Sequence, residues 1–360
     1  MSGRDHFSPG YLESRRRFIE LAEGLGAEME SHTLRTLGPD EQPLSIDVAW
    51  FGPTDADRIV AVTSATHGVE GFMGAAIQNQ LLSDLPELPD GVALVLIHAI
   101  NPYGYAFVRR VNEDNADLNR NFLGDGEAYA GSPEGYADFD SMLNPEKPPS
   151  RWTASTFPLR AIPQILRLGM AKVKTIVAGG QYDFPRGLFF GGAKKSNSME
   201  ILEAQLPRWF GKASKLLLID FHTGLGAAGT YKLFIDHTPD SPRTAELKSH
   251  FGADSVQPWD AGEGIAYVIR GGLGTWVQSK LPGVEADVLA AEFGTVNVLK
   301  VITALTCENR AHQWGSPEDE TTKQAKKLLM EAFAPSDVLW RDTVVERGRQ
   351  IVERALAAST

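Results

Sequence analysis

The 360-residue chain holds a single cysteine, Cys307. One thiol forms no internal disulfide and no thiolate metal cluster, and its apolar surroundings (VITALTC) point to a buried structural side chain. Long apolar runs are missing too. No stretch approaches the roughly 20 apolar residues of a spanning helix, and the opening MSGRDHFSPGYLESRRRF has charges with no apolar run behind them, so a cytoplasmic protein with no membrane partner is expected. Positive charge is in short supply. With 35 Lys+Arg against 46 Asp+Glu the net charge is −11, which removes the basic footprint that nonspecific nucleic-acid or anionic-membrane binding requires. Basic residues that matter are therefore expected to be local and few. The Gly-rich loops lack a G-x-S-x-G elbow, and there are no repeats, heptads or low-complexity tracts.

What is present is enough apolar material, 42% of residues, for a sizeable core in a globular protein. Strand-length β-branched and apolar runs occur at 45–52, 58–65, 92–99, 215–222, 231–236 and 288–295. Between them, residues 72–85, 159–177, 242–252 and 323–334 repeat apolar side chains every three to four positions, as helices packed on a sheet do. The pattern predicts an α/β fold with a mixed, mostly parallel central sheet flanked by helices on both faces. Residues 45–52 and 58–65, joined by a short Pro-Asp turn, could form an antiparallel edge hairpin. Residues 124–153, rich in Gly, Pro, Ser and acids, read as a long surface excursion or a lid. The segment 179–197 (GGQYDFPRGLFFGGAKKSN) reads either as a pocket wall or as an ordinary packed loop.

Four places concentrate chemistry. In TSATHGVEG, His67 and Glu70 leave one tight loop between a strand and a helix. Two such side chains could supply part of a three-ligand zinc site, although the pair taken alone reads better as a surface salt bridge. In KLLLIDFHTGLG, His222 follows an apolar strand and precedes glycines, at the carboxyl edge where α/β sheets place ligands. The stretch NPYGYAFVRRVNEDNADLNRNF concentrates Asn, Asp and Arg, which could grip an anionic substrate or decorate a charged surface loop. Within it, Asp117 could support a ligand histidine. Finally, Glu292 sits inside an otherwise apolar strand, a costly position unless the carboxylate is paired or functional.

Taken together, these motifs resemble the zinc carboxypeptidase superfamily, in particular its succinylglutamate desuccinylase/aspartoacylase-like bacterial branch. The resemblance covers roughly residues 45–300. It implies one catalytic domain over 1–360, with the excursion at 124–153 and a helical C-terminal segment at 317–360. It also implies one Zn2+ ion on His67, Glu70 and His222, with Glu292 as general base. Asp117 would orient His67, and Asn119 and Arg120, in the run Asp117-Leu118-Asn119-Arg120 after Asn101-Pro102, would hold a substrate carboxylate. Arg110, or failing it Arg109, would stabilise the oxyanion, and Tyr267 would close over the substrate. The expected activity is hydrolysis of an amide next to a free carboxylate, by a metallocarboxypeptidase acting on a peptide or small molecule. The alternatives are an N-acyl amino acid deacylase and a non-catalytic zinc or peptide-binding module.

Overall fold

Strands that are apolar on both faces belong in the middle of a sheet, and polar ones at its margins. The computed structural model describes residues 2–259 and 269–359. Among them, β1 (Glu28–Leu37), β2 (Pro43–Phe51), β3 (Arg58–Thr63), β4 (Val92–His98), β5 (Lys215–Thr223), β6 (Tyr231–Ile235), β7 (Val256–Pro258) and β8 (Glu285–Phe293) form one sheet. Their order is β1-β2-β4-β3-β5-β8-β6-β7. β4, β3, β5 and β8 run parallel through the centre, whereas β1, β2 and β6 pair antiparallel with their inner neighbours. The mixed α/β sheet expected from the sequence is present.

The helices used below are α1 (Tyr11–Gly24), α2 (Gly71–Ser83), α3 (Thr153–Leu168), α4 (Met170–Ala178), α5 (Asn197–Phe210), α6 (Leu273–Lys280), α7 (Val298–Trp314), α8 (Glu320–Phe333) and α9 (Val338–Ala358). Side chains alternate across each strand, so the sheet divides the core into two apolar layers. Ile59, Ala61, Val95 and Ile97 face the layer completed by Leu202, Trp209, Trp276 and Leu305 of α5, α6 and α7. Val60, Val62, Leu94 and Leu96 face the layer completed by Phe18, Ile77, Trp340 and Ile351 of α1, α2 and α9. Burying each such Leu, Ile or Phe stabilises the fold by about 1.5–3 kcal/mol.

Three expectations need correction. Residues 45–52 and 58–65 do not form a hairpin, because β4 lies between them, with Val60 opposite Leu94 and Ala49 opposite Leu96. The true hairpin partner of β2 is β1, which pairs Met29 with Ala49 and Thr33 with Ser45. β3 is apolar from Ile59 to Val62 and needs cover on both sides, whereas EMESHTLRTL tolerates the margin and was illegible as a strand for the same reason. Second, residues 159–177 form two helices, broken at Gly169, whose φ of 81° ends α3. Third, the excursion at 124–153 contains a helix, Tyr136–Leu143, that anchors Tyr136, Phe139 and Leu143 in the core at spacings of three and four. Among Gly, Pro and acids that short stripe gave little periodic signal.

Candidate metal centre

The centre lies where β3, β5 and β8 end. Beyond Thr63 the chain passes through Ala65 at φ 59° and enters a 3-10 turn, Gly68–Glu70, that runs directly into α2. A left-handed alanine costs about 1–2 kcal/mol. It is held by the Asn101 N–H donating to the Ala65 carbonyl (2.9 Å) and the Ile100 N–H donating to that of Ser64 (2.9 Å). Gly68 has no room for a side chain, since a Cβ there would lie 2.0 Å from the Gly104 carbonyl carbon. Its N–H and that of Val69 donate to the carbonyls of Arg110 and Arg109 (3.1 and 2.8 Å). This stitching directs His67 and Glu70 inward, where both are buried.

From the other side, the parallel register of β5 and β8 sets His222 beside Glu292. His67 Nδ1 is 2.9 Å from Glu70 Oε1, His222 Nδ1 is 3.0 Å from Glu70 Oε2, and the two Nδ1 atoms are 3.2 Å apart. The opposite ring nitrogens each meet a carboxylate: His67 Nε2 lies 3.0 Å from Asp117 Oδ1, and His222 Nε2 lies 2.6 Å from Asp220 Oδ2. A carboxylate at Nε2 favours the proton on that nitrogen, so both Nδ1 lone pairs face one point. Two lone pairs at that separation repel unless something positive lies between them. Ligands placed tetrahedrally at zinc distances are about 3.3 Å apart, close to the spacing found here. These residues therefore fit a divalent ion, and His67, Glu70 and His222 could hold it.

The electrostatics carry the same demand. Burial would raise the Glu70 carboxyl, but His67 and His222 outweigh it and hold the group well below the carboxylate range. Burial likewise works against Asp117 and Asp220, which are nevertheless held down, Asp117 chiefly by Arg110 and His67 and Asp220 by His222. Burial opposes charge on His222, yet Asp220 and Glu70 raise it well above an ordinary histidine. A proton meets the need that a metal ion would meet. Glu292 is the exception: burial pushes it up to about 8 against the pull of His222, and its Oε2 has no hydrogen-bond partner.

The remaining expected residues are placed as follows. Arg110 donates from Nε to Asp117 Oδ2 and from Nη1 to Glu70 Oε1, each at 3.0 Å, and stacks over Phe189. Its Nη2 also lies 2.8 Å from His67 Nε2, a contact that asks that nitrogen to accept while Asp117 asks it to donate. A cation at Nδ1 resolves the competition in favour of Asp117. Arg109 is buried away from these groups on Glu308, Asn115 and Asn309, so it offers nothing to a substrate. Arg120 is buried as well: Nε and Nη2 donate to the Ala178 carbonyl (3.1 and 2.7 Å) and Nη1 to that of Asn119 (2.7 Å). These guanidinium donors meet backbone carbonyls. Asn119 Oδ1 accepts from the Leu273 N–H (3.0 Å), and the side chain lines a recess of about 70 Å³ with Asp220, His222, Asp236 and Thr275. A second recess, of about 50 Å³, is walled by Phe189, Leu225, Val301, Leu305 and Phe333 and bordered by Arg110 and Glu292. Tyr267 lies outside the described residues. Sequence reading missed Asp220, which Thr63 and Thr66 hydroxyls hold at 2.7 and 2.9 Å. The signal was available, because Asp-x-His on a strand puts both side chains on one face.

A family model described as "Protein of unknown function (DUF2817)" matches residues 7–347. No curated protein matches the chain. Among solved structures, it is similar to carboxypeptidase A from Helicoverpa armigera, with 12% identity over 91% of this chain and 74% of that one and a TM-score of 0.48. A metallo-carboxypeptidase from Pseudomonas aeruginosa is 15% identical over 94% and 68%, with a TM-score of 0.41. Murein-tripeptide amidase MpaA from Escherichia coli O157 is 16% identical over 81% and 93%, with a TM-score of 0.37. Likenesses this distant assign no role to any residue of this chain.

Proposed function

We propose, for a chain that belongs to the DUF2817 family, a metal-dependent amide hydrolase of the metallocarboxypeptidase kind, with one zinc ion on His67, Glu70 and His222. The observation that carries this reading is the pair of imidazole Nδ1 atoms 3.2 Å apart, each ring backed by a carboxylate, beside the unpartnered Glu292 oxygen. Two imidazoles and a carboxylate, with a position left for water, are a zinc hydrolase's donor set, and the ion there would acidify water and polarise the substrate carbonyl. The other roles fall to side chains. Glu292, once a cation beside it offsets the burial that raises its carboxyl, accepts the proton of the attacking water and returns it to the leaving nitrogen. Arg110, fixed by Asp117 and Glu70, stabilises the negative charge that develops on the carbonyl oxygen. Asp117 and Asp220 hold the two rings in the tautomer that keeps Nδ1 free.

The substrate is a peptide or small molecule with an amide next to a free carboxylate. Asn119 faces the polar recess and receives that carboxylate, while Arg120 braces it from behind by binding the Asn119 carbonyl. One observation favours a second reading, N-acyl amino acid deacylation: the recess beside Glu292 is small and apolar, with room for an acyl group rather than a peptide. Metal analysis, with a panel of C-terminally varied peptides and N-acyl amino acids, separates the readings. Hydrolysis of peptides alone supports the carboxypeptidase, and hydrolysis of acyl amino acids alone supports the deacylase. Bound zinc without turnover of any member would favour a binding module.

A further inference from the structure

Residues 147–182 carry six basic side chains and no acidic one, in a chain whose net charge is −11. The same stretch contains α3 and α4. Trp152, Leu159, Ile162, Leu166 and Met170 are all exposed, Leu159 by 71% and Leu166 by 80%. Leu159, Ile162 and Leu166, three and four residues apart, form one stripe along the outside of α3, with Trp152 just before the helix and Met170 just after the break at Gly169. Thr153, Phe157 and Ala161 are buried on the opposite face, so α3 is apolar both where it packs and where it meets solvent. Arg160 and Arg167, both exposed and seven residues apart, flank the outer stripe, and the Arg151 guanidinium covers the Trp152 ring at 4.9 Å. Beneath the helix, Phe139, Phe157, Ile165, Met170 and Lys174 line an apolar recess of about 60 Å³. It shares Lys174 and Val298 with the recess beside Glu292, so whatever covers α3 lies close to the candidate metal centre.

We infer that the outer face of α3 and α4 docks on an anionic lipid bilayer surface. A helix with an exposed apolar stripe, a tryptophan and basic flanks lies in the plane of a membrane interface, with its apolar side chains among the acyl chains and its cations on the headgroups. It does not span: among the described residues no helix is long and apolar enough to cross a membrane. A second copy is the weaker occupant. Pairing this face with itself would set Arg160 and Arg167 against like charges. Among the described residues the other exposed large apolar side chains, Leu12, Leu25, Leu37, Val338 and Leu339, lie on or next to α1, β1 and α9, and no second helix carries three of them at spacings of three and four. The acidic balance of the whole chain had argued against membranes; the total conceals one basic stretch, and the fold leaves its apolar stripe exposed.

The test is flotation of the full chain with vesicles of phosphatidylcholine alone and of phosphatidylcholine mixed with phosphatidylglycerol, at low and high salt. Binding is expected to the anionic vesicles and to weaken with salt. Arg160→Gln with Arg167→Gln should reduce it about 30-fold, and Leu166→Ser about tenfold, with unchanged circular dichroism and Tm. Absence of binding to anionic vesicles, or equal binding by the variants, overturns the inference. A concentration-dependent dimer that Leu166→Ser dissolves, with no vesicle binding, assigns the face to a second copy instead. None of these outcomes depends on catalysis, so the inference and the proposed hydrolase can fail separately.

Discussion

Two clusters of buried charge lie in this molecule, and they are built on opposite plans. Around Glu308, Arg109 Nε donates at 2.9 Å and Lys326 Nζ at 2.6 Å, while Asn115 and Asn309 receive the Arg109 Nη2. Burial would raise Glu308, yet Arg109 and Lys326 hold it down at about 2. Carboxylate and cations answer one another there, and nothing is left over for a ligand. At the ends of β3, β5 and β8, two imidazole lone pairs converge and the Glu292 Oε2 has no partner. Complementary buried charge ties α7 to α8 and to the loop carrying Arg109. An unpartnered buried carboxyl beside converging imidazole nitrogens marks a place where something else could bind.

The contrast is most exposed to Glu292→Gln. If the unpartnered carboxylate moves the proton, turnover should fall about 10²–10⁴-fold while bound metal stays stoichiometric; undiminished turnover in a metal-replete preparation would remove Glu292 from the mechanism. Glu308→Gln should do the reverse. It should cost about 3–5 kcal/mol in urea unfolding, because Arg109 is left buried beside a neutral group, with metal content unaltered. A small effect on stability would mean that the structural cluster is not one.

The sign of the pH dependence follows from the same residue. A carboxyl held at about 2 when folded, against an ordinary value near 4.5, contributes stability above pH 4.5 that is lost as the pH falls toward 2. Its share, about 3 kcal/mol, should be missing from the acid limb of Glu308→Gln. Parallel acid limbs in the two proteins would contradict that. Asp220→Asn should weaken metal binding about 10–100-fold in a chelator competition, since the amide no longer fixes the His222 tautomer. Unchanged affinity would leave Asp220 a packing residue. Arg120→Met should have the smallest effect on chemistry, lowering Tm with a modest rise in KM; a large rise in KM at unchanged Tm would restore Arg120 to direct contact with substrate.

Much of the sheet was legible because its central strands are buried on both faces and read as unbroken apolar runs. β1 and β7 were not, since an edge strand needs apolar residues on one side at most and β7 spans only Val256–Pro258. The insertion of β4 between β2 and β3 was equally hidden, because strand order depends on pairing between segments that chain position does not rank. In the centre, His67, Glu70, His222 and Glu292 stood out as polar groups in or just beyond apolar strands, and the fold brings them together. Arg110 and Arg109 were the two candidates for the oxyanion. Only the fold separates them, by bringing Glu308, 199 residues away, against the Arg109 guanidinium and leaving Arg110 beside Glu70 and Glu292.

By itself, the sequence determined the apolar centre of the sheet, the residue types of a metal site and the glycine that lets the THGVEG loop pass under Gly104. Those follow from local periodicity and backbone space. The tertiary structure alone decided that both imidazoles turn Nδ1 inward, that Arg120 donates to the Ala178 carbonyl, and that α3 keeps a basic, apolar stripe in solvent. Proton placement and exposure are set by what lies across from a side chain, and that neighbour is supplied by distant chain.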